Sequence, residues 1–183
     1  MSIAAVFGRF IEHCRVNRGL SVNTLRAYTT DGADFAGFAG PSAPVPEIGR
    51  ERLQNYVRWL LDERGLKEAS VKRRVATLKV FFRWLERQGT IEINPFHRLD
   101  MVVRLPRRLP RGVSSDELRR LLAHIRRGEP GFAATLFHLT VSLLFTTGLR
   151  IGELAAVRLA DLDKREGIIQ VRGKGNRERQ VYL

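Results

Sequence analysis

The stretch T-T-G-L-R-I-G-E-L, residues 146–154, places one arginine at a break between two helical patterns. Residues 136–145 before it are mostly apolar, which predicts a buried helix. Gly148 fits the left-handed residue that ends many helices, and Arg150 then opens a new helix. Glu153 lies three residues further on, where its carboxylate can hold the guanidinium. Such an arginine is either half of a structural ion pair or a planar fork of donors for a phosphate.

The whole chain carries a large excess of positive charge. Its 183 residues include 32 Lys and Arg against 19 Asp and Glu, which gives a net charge of +13 and an isoelectric point near 11.2. This excess indicates a polyanion as partner, most simply nucleic acid. A basic protein that charge merely keeps in solution, or a ribosomal-type RNA binder, remains the alternative. A hydrophobic content of 44% indicates a globular chain with a core.

Cysteine, histidine and hydropathy patterns exclude several classes of protein. The single cysteine, Cys14, permits no disulfide framework. The four histidines lack the spacing of metal ligands, so we expect no metal site. No apolar run reaches transmembrane length and the N-terminus lacks a secretory signal. We therefore expect a cytoplasmic protein with no membrane partner.

Four helical patterns fill the first half of the chain. Apolar residues recur at helical spacing over residues 3–18, 21 to about 40, 50 to about 65, and from about 70 onward. On the fourth pattern Lys72, Lys79 and Arg83 form a basic stripe opposite the apolar face, with Arg73 and Arg87 beside them. Such a stripe suits the phosphates of a DNA groove, although many charged faces are only solvated.

Residues 94–112 contain three prolines and no sustained periodicity. This composition predicts a linker between two domains, residues 1–93 and 113–183. Prolines favour an extended backbone, so the arginines of the linker would form an extended polycation. That polycation either follows a nucleic-acid backbone or is a solvated hinge. The arginines concerned are Arg104, Arg107, Arg108 and Arg111.

Beyond the linker the pattern changes from helices to strands. A serine at 114 or 115 caps a helix, the apolar helix follows, and the Arg150 helix continues to about Leu159. Residues 167–172 and 178–183 alternate like the strands of a hairpin. Lys174 stands between two glycines at its tip, where it can clamp a phosphate, donate a proton or simply be solvated. A Walker-type loop is excluded because the lysine is followed by glycine, not serine or threonine.

Taken together, T-G-L-R-I-G-E-L at 147–154 and G-K-G-N-R-E-R at 173–179 resemble the first half of the catalytic domain of the tyrosine recombinases, the integrase and Xer-type family. S-V-N-T-L-R-A-Y at 21–28, N-P at 94–95 and the L-P-R before a capped helix are similar to that family's core-binding domain and linker. The resemblance covers nearly the whole chain. It implies a mainly α fold, in which a four-helix SAM-like core-binding domain precedes a partial α+β catalytic domain with a β-hairpin.

In this family a tyrosine attacks a DNA phosphate and forms a 3′-phosphotyrosyl link without metal, ATP or another cofactor. The resemblance implies that Arg150 grips the scissile phosphate, that Lys174 protonates the 5′ leaving oxygen, and that Glu153 supports Arg150. It also implies that Thr24 and Arg26 join the basic stripe and the linker arginines as contacts to double-stranded DNA. Family members assemble as tetramers on paired inverted-repeat sites.

The chain departs from the family pattern after Lys174. No His-x-x-Arg motif follows, and Tyr182 lies in the second predicted strand, where the family does not place its nucleophile. We therefore expect a truncated chain with an incomplete catalytic set, which binds duplex DNA and forms no covalent adduct. The alternative is a non-enzymatic DNA-binding protein, either a regulator or a recombinase-derived inhibitor.

Overall fold

The computed structural model describes residues 1–97, 99, 112–127, 131–173 and 177–183. The chain divides into two compact units, Met1–Arg108 and Leu109–Leu183. The fold is mainly helical with a small antiparallel sheet, which confirms the predicted fold class. None of the helices in the described ranges is long and apolar enough to cross a membrane.

Four α-helices lie in the described part of unit 1, as the four sequence patterns predict. Their bounds are Ile3–Val16 for α1, Val22–Ala39 for α2, Arg50–Asp62 for α3 and Glu68–Arg87 for α4, with a 3₁₀ turn at Val45–Glu47. Serine side chains cap the first two helices: Ser2 Oγ accepts from the Ala5 N–H, and Ser21 Oγ accepts from the Thr24 N–H. Gly32 allows α1 and α2 to approach closely, because a Cβ there would lie 2.3 Å from two ring carbons of Phe7.

An aromatic cluster forms the centre of unit 1. Phe10 of α1 is fully buried, and its ring centroid lies 5.4–5.8 Å from those of four other rings. These are the rings of Phe7, Tyr28, Phe81 and Trp84. Ring pairs at these distances stabilise a core beyond the area they bury. One side chain of α1 therefore joins three helices.

A buried carboxylate network ties α2 to α4 beside this cluster. Asp31 is fully buried, and its Oδ2 accepts from Arg73 Nη1 at 2.6 Å and from Thr77 Oγ1 at 2.8 Å. One turn later, Asp34 Oδ2 accepts from Arg74 Nε at 2.9 Å. A buried carboxylate needs such partners, because an unpaired charge in the core is costly. Arg73 therefore has a structural partner, whereas Lys79 of the predicted basic stripe lies over the Phe96 ring, with its Nζ 5.9 Å from the ring centroid.

The first residues of the predicted linker belong to unit 1 and pack against its helix α4. Asn94 is buried and its N–H donates to Glu86 Oε1 at 2.8 Å. The ring of Phe96 lies 5.8 Å from that of Phe82. The domain boundary after residue 93 stays a prediction, and Arg104, Arg107, Arg108 and Arg111 lie outside the described residues.

Unit 2 combines helices with an antiparallel sheet. Its elements are α5 at Ser115–Arg127, α6 at Phe132–Thr147, α7 at Ile151–Leu154, a 3₁₀ turn at Leu159–Asp161, and the strands β1 at Leu162–Asp163, β2 at Ile168–Arg172 and β3 at Glu178–Tyr182. The strand order is β1-β2-β3, and Val171 pairs with Arg179 across the predicted hairpin. Leu149, Ile169, Val171 and Val181 form a small buried core. The hairpin is confirmed, whereas β1 was not predicted.

The helix that begins after Arg150 is shorter than the sequence pattern predicts. α7 ends at Leu154, and the prediction that it continues to about Leu159 is wrong. The Asp161 carboxylate accepts the Arg158 N–H at 2.8 Å, and Arg158 is extended. A short acidic side chain that captures a backbone N–H competes with helix formation. The chain also turns because Val157 packs against the small core of unit 2.

The apolar helix α6 has no fully buried residue, so the prediction of a buried helix is wrong. Phe132 is 84% exposed and Phe145 is 65% exposed. Within the described ranges α6 packs against α5 and α7, which cover only part of its circumference. Apolar composition indicates that a helix can be buried, but it does not supply the surface that buries it.

Candidate phosphate site and nucleic-acid interface

Arg150 stands at the turn between α6 and α7. Gly148 ends α6 in a left-handed conformation with φ 64° and ψ 21°, as predicted, and Leu149 anchors the turn in the core of unit 2. Arg150 is the extended N-cap of α7, and its N–H donates to Glu153 Oε2 at 2.9 Å. Its side chain is 73% exposed. The backbone of Arg150 is therefore held in place, while the outer edge of its guanidinium faces solvent.

Glu153 is the centre of the site and binds two arginines. Its side chain is only 7% exposed, and Oε1 accepts from Arg150 Nη1 at 2.8 Å, as the spacing predicts. Arg179 of β3 adds a two-pronged contact, from Nη1 to Oε1 at 3.1 Å and from Nη2 to Oε2 at 2.8 Å. Planar guanidinium and carboxylate groups match in this geometry. One carboxylate therefore joins the Arg150 turn to the hairpin.

Sequence reasoning missed Arg179, although a signal for it exists. Side chains two apart on a strand share a face, and Val181 of β3 is buried. Arg179 therefore lies on the core-facing side of the strand, opposite the buried Val171. A charged residue at an inward position requires a partner of opposite charge. Glu153 provides that partner.

The two arginines hold the Glu153 carboxyl in its charged form. Hydrogen bonds from Arg179, followed by the Arg150 N–H, lower the pKa of Glu153 from 4.5 to about 2, against the opposing effect of burial. Glu153 is therefore an anion throughout the physiological pH range. Two guanidinium groups share this one negative charge, so the cluster keeps a net positive charge for an anionic ligand.

We expect the Arg179→Ala variant to raise the pKa of Glu153 from about 2 towards 4.5, because Arg179 is the largest cause of the shift. Since folding lowers this pKa, the network stabilises the fold above pH 4.5 and loses that contribution as the pH falls towards 2. Carbon-detected NMR titration of the Glu153 carboxyl measures the change. Arg172→Ala is the matched control, because Arg172 of β2 pairs with Glu178. Equal Glu153 pKa values in the unchanged chain and in Arg179→Ala would contradict the assignment.

Lys174 lies outside the described residues, but the strand that leads to it passes against the cluster. A Cβ on Gly173 would lie 3.2 Å from both Arg179 Nη1 and Glu153 Oε1. The Gly173 N–H also donates to the Arg177 carbonyl at 2.8 Å. The structure thus brings Arg150, Glu153 and the first side of the hairpin tip together. The predicted role of Lys174 stays a prediction.

The predicted DNA-binding residues of unit 1 occupy α2 and α4. Lys72, Lys79 and Arg83 are exposed along one side of α4. Thr24 lies in the first turn of α2, where its Oγ1 is 2.9 Å from Ser21 Oγ, and Arg26 is exposed half a turn later. These positions leave the charged groups accessible to a large anion. Their role in DNA binding stays a prediction.

Two family models match the chain. The phage integrase N-terminal SAM-like domain matches residues 7–89, and the phage integrase family model matches residues 111–183. The chain belongs to the phage integrase family of tyrosine recombinases. The T-G-L-R-I-G-E-L and G-K-G-N-R-E-R motifs both lie within the second match.

Relatives with established names are also similar over most of the chain. Tyrosine recombinase XerC of Thermodesulfovibrio yellowstonii is 34% identical over 176 residues, which cover 94% of this chain and 55% of that protein. Tyrosine recombinase XerD of Pseudomonas putida is 32% identical over 176 residues, which cover 96% of this chain and 58% of that protein. The chain thus spans little more than half the length of these relatives.

A solved structure of lambda integrase shows the same fold. A dimer of its residues 75–356, bound to a COC′ core site, matches with a TM-score of 0.78 and 21% sequence identity. The match covers 100% of this chain and 62% of that chain.

Proposed function

We propose that this chain is the DNA-binding portion of a site-specific tyrosine recombinase, comprising the core-binding domain and the first part of the catalytic domain. The observation that carries the proposal is the Arg150–Glu153–Arg179 cluster. It presents a solvent-facing guanidinium, held by a buried carboxylate, beside the hairpin that leads to Lys174. A net charge of +13 and the fold shared with DNA-bound lambda integrase support it.

The proposed chemistry is phosphoryl transfer through a 3′-phosphotyrosyl intermediate. A tyrosine hydroxyl loses its proton as its oxygen attacks the DNA phosphorus, the bond from phosphorus to the 5′ oxygen breaks, and that oxygen receives a proton. Arg150 binds the non-bridging phosphate oxygens, whose negative charge grows as the transition state forms. Glu153 and Arg179 fix its orientation before the substrate arrives, and Lys174 supplies the proton to the leaving oxygen.

The three tyrosines of the chain are unsuited to the role of nucleophile. Tyr56 is fully buried, and burial raises its pKa. Tyr28 packs against Phe10 in the aromatic cluster. Tyr182 is exposed but belongs to β3, where it pairs with Ile168. We therefore propose that these 183 residues bind duplex DNA without joining it covalently.

The proposed partner is a double-stranded inverted-repeat site. In an intact protein of this family we expect a tetramer on two such sites, formed from identical or related subunits in the cytoplasm. The basic stripe of α4, together with Thr24 and Arg26, supplies the contacts of unit 1. Phosphate contacts position the protein on the duplex, and the few side chains that reach base edges select the sequence.

Selection of bound duplexes from a random pool at moderate salt tests the proposed function. We expect enrichment of an inverted repeat, because two copies of one chain would read two related half-sites. A nicked suicide version of the enriched site should then bind the 183-residue chain without a covalent product. A pool that shows no enrichment would contradict site-specific binding. A protein–DNA band that survives denaturation would contradict the proposal that these 183 residues contain no nucleophile. Structured RNA that outcompetes duplex DNA would support an RNA-binding protein instead.

A further inference from the structure

A basic cleft lies in unit 1, between the C-terminal end of α1 and the last turns of α4. It encloses about 270 Å³. Phe10, Val80 and Trp84 contribute the apolar part of its lining, and the His13 ring lies 5.7 Å from the Trp84 ring. Its charged lining comes from Arg18, just beyond α1, and from Arg83 and Arg87, which lie one turn apart on α4.

Within the part of the chain that the structure describes, no carboxylate balances the charge in this cleft. No aspartate or glutamate is among the described residues that line it. Other arginines of unit 1 form an ion pair with an acidic side chain, as Arg73 does with Asp31. Within the described ranges, Arg18, Arg83 and Arg87 have no such carboxylate. Three like charges around one concave space repel one another, and a bound anion would relieve that repulsion.

The end of α1 opposes an anion only weakly. The C-terminal end of a helix carries about half a negative charge, whereas the three guanidinium groups carry three full positive charges. Asn17, the C-cap residue of α1, also lines the cleft, and its side-chain nitrogen lies 2.9 Å from His13 Nδ1, which leaves its second N–H to donate to an anion. An arginine guanidinium can bind two phosphate oxygens at once, in a bidentate geometry. The chemistry of the cleft is therefore that of a phosphate site.

We propose that this cleft binds a backbone phosphate of the DNA duplex, so that the DNA contact extends from the α4 stripe onto α1. This inference rests on the proposed DNA-binding function. Arg83 belongs to both surfaces and lies four residues from both Lys79 and Arg87 along α4, so one strand of phosphates can pass from the stripe into the cleft. Arg18 lies outside the stripe and lines only the cleft, whereas Arg87 lies beside the stripe at the point where the stripe meets the cleft.

The test compares the unchanged chain with the Arg18→Gln/Arg87→Gln double variant on one duplex enriched from the pool. Loss of one neutralised phosphate should reduce the slope of log affinity against log salt by about 0.9 and weaken binding roughly eightfold at about 0.1 M salt. Arg9→Gln/Arg58→Gln is the matched control, because both residues are exposed and lie outside the cleft. Equal losses in the two double variants would overturn the proposal.

Single methylphosphonate replacements along the same duplex locate the phosphate. One replacement should weaken the unchanged chain and have no further effect on the Arg18→Gln/Arg87→Gln variant. Additive losses at every replacement would place the contact elsewhere and overturn the proposal.

Trp84 reports on the cleft directly. In a Trp59→Phe chain the remaining tryptophan emission comes from Trp84, since the chain has two tryptophans. Duplex DNA should change the Trp84 emission, whereas inorganic phosphate at the same concentrations should not. An equal response to inorganic phosphate would indicate a site for free phosphate and overturn the assignment to DNA. Duplex binding with unchanged Trp84 emission would also count against the cleft while leaving the proposed function intact. Absence of duplex binding by the unchanged chain would overturn both.

Discussion

Replacing Lys72, Lys79 and Arg83 together with glutamine is expected to lower the affinity for duplex DNA by roughly 500-fold at about 0.1 M salt. The three side chains are exposed on one side of α4. If each neutralises one phosphate, three fewer counterions are released, and the slope of log affinity against log salt falls by about 2.7. Lines of different slope converge near 1 M salt, so most of the loss appears at low salt. Fluorescence anisotropy of a labelled duplex over a salt series measures both quantities.

The matched control removes the same charge elsewhere in unit 1. Arg9, Arg15 and Arg58 are exposed on α1 and α3, and their replacement with glutamine also lowers the net charge by three. We expect this variant to keep nearly the original slope, because only charges close to phosphates release counterions. The same slope change in both triple variants would show that overall charge, not the α4 surface, determines binding.

Phe10→Ala is expected to destabilise unit 1 by about 3–5 kcal/mol, the usual cost of removing a buried aromatic ring. Phe10 is fully buried and is surrounded by rings from α1, α2 and α4, which cannot all move into the space it leaves. A domain is normally stable by only about 5–15 kcal/mol, so this variant should be close to unfolding. Urea denaturation followed by tryptophan fluorescence measures the loss.

The readout is specific because both tryptophans, Trp59 and Trp84, lie in unit 1. Phe132→Ala in α6 is the matched control, since Phe132 is 84% exposed and belongs to unit 2. That variant should leave the tryptophan transition within about 0.5 kcal/mol of the unchanged chain. A Phe10→Ala loss as small as that of the control would show that the core repacks around the space, contrary to the buried geometry.

The central feature of the site is that a single carboxylate organises it. Glu153 receives an arginine from its own helix start and another from a strand, and burial excludes water from competing for its oxygens. The guanidinium that faces solvent is then pre-oriented, so less conformational entropy is lost when it binds a phosphate. Replacement of Glu153 therefore affects Arg150 and the hairpin together.

Sequence periodicity predicted the elements that are formed by contacts between residues close together in the chain. The helices of unit 1 follow from apolar residues at helical spacing, and the hairpin follows from alternation around a glycine-rich turn. The end of α7 was not predictable from apolar spacing, because the Asp161 side chain competes for a backbone N–H that a helix would use. The exposure of α6 was not predictable either, because it depends on what packs around the helix.

The amino-acid sequence alone predicts the positive charge of the chain, its helices and hairpin, and the break that presents Arg150 beside Glu153. Three features depend on the packing of distant elements: Arg179 completes the site, Arg73 pairs with Asp31, and α1 and α4 enclose a basic cleft. The two groups of features differ in how far apart the contacting residues lie along the chain. Arg150 and Glu153 are three residues apart, whereas Arg179 is 26 residues from Glu153 and Arg73 is 42 from Asp31. Periodicity determines which face of an element is buried, but packing determines which faces meet.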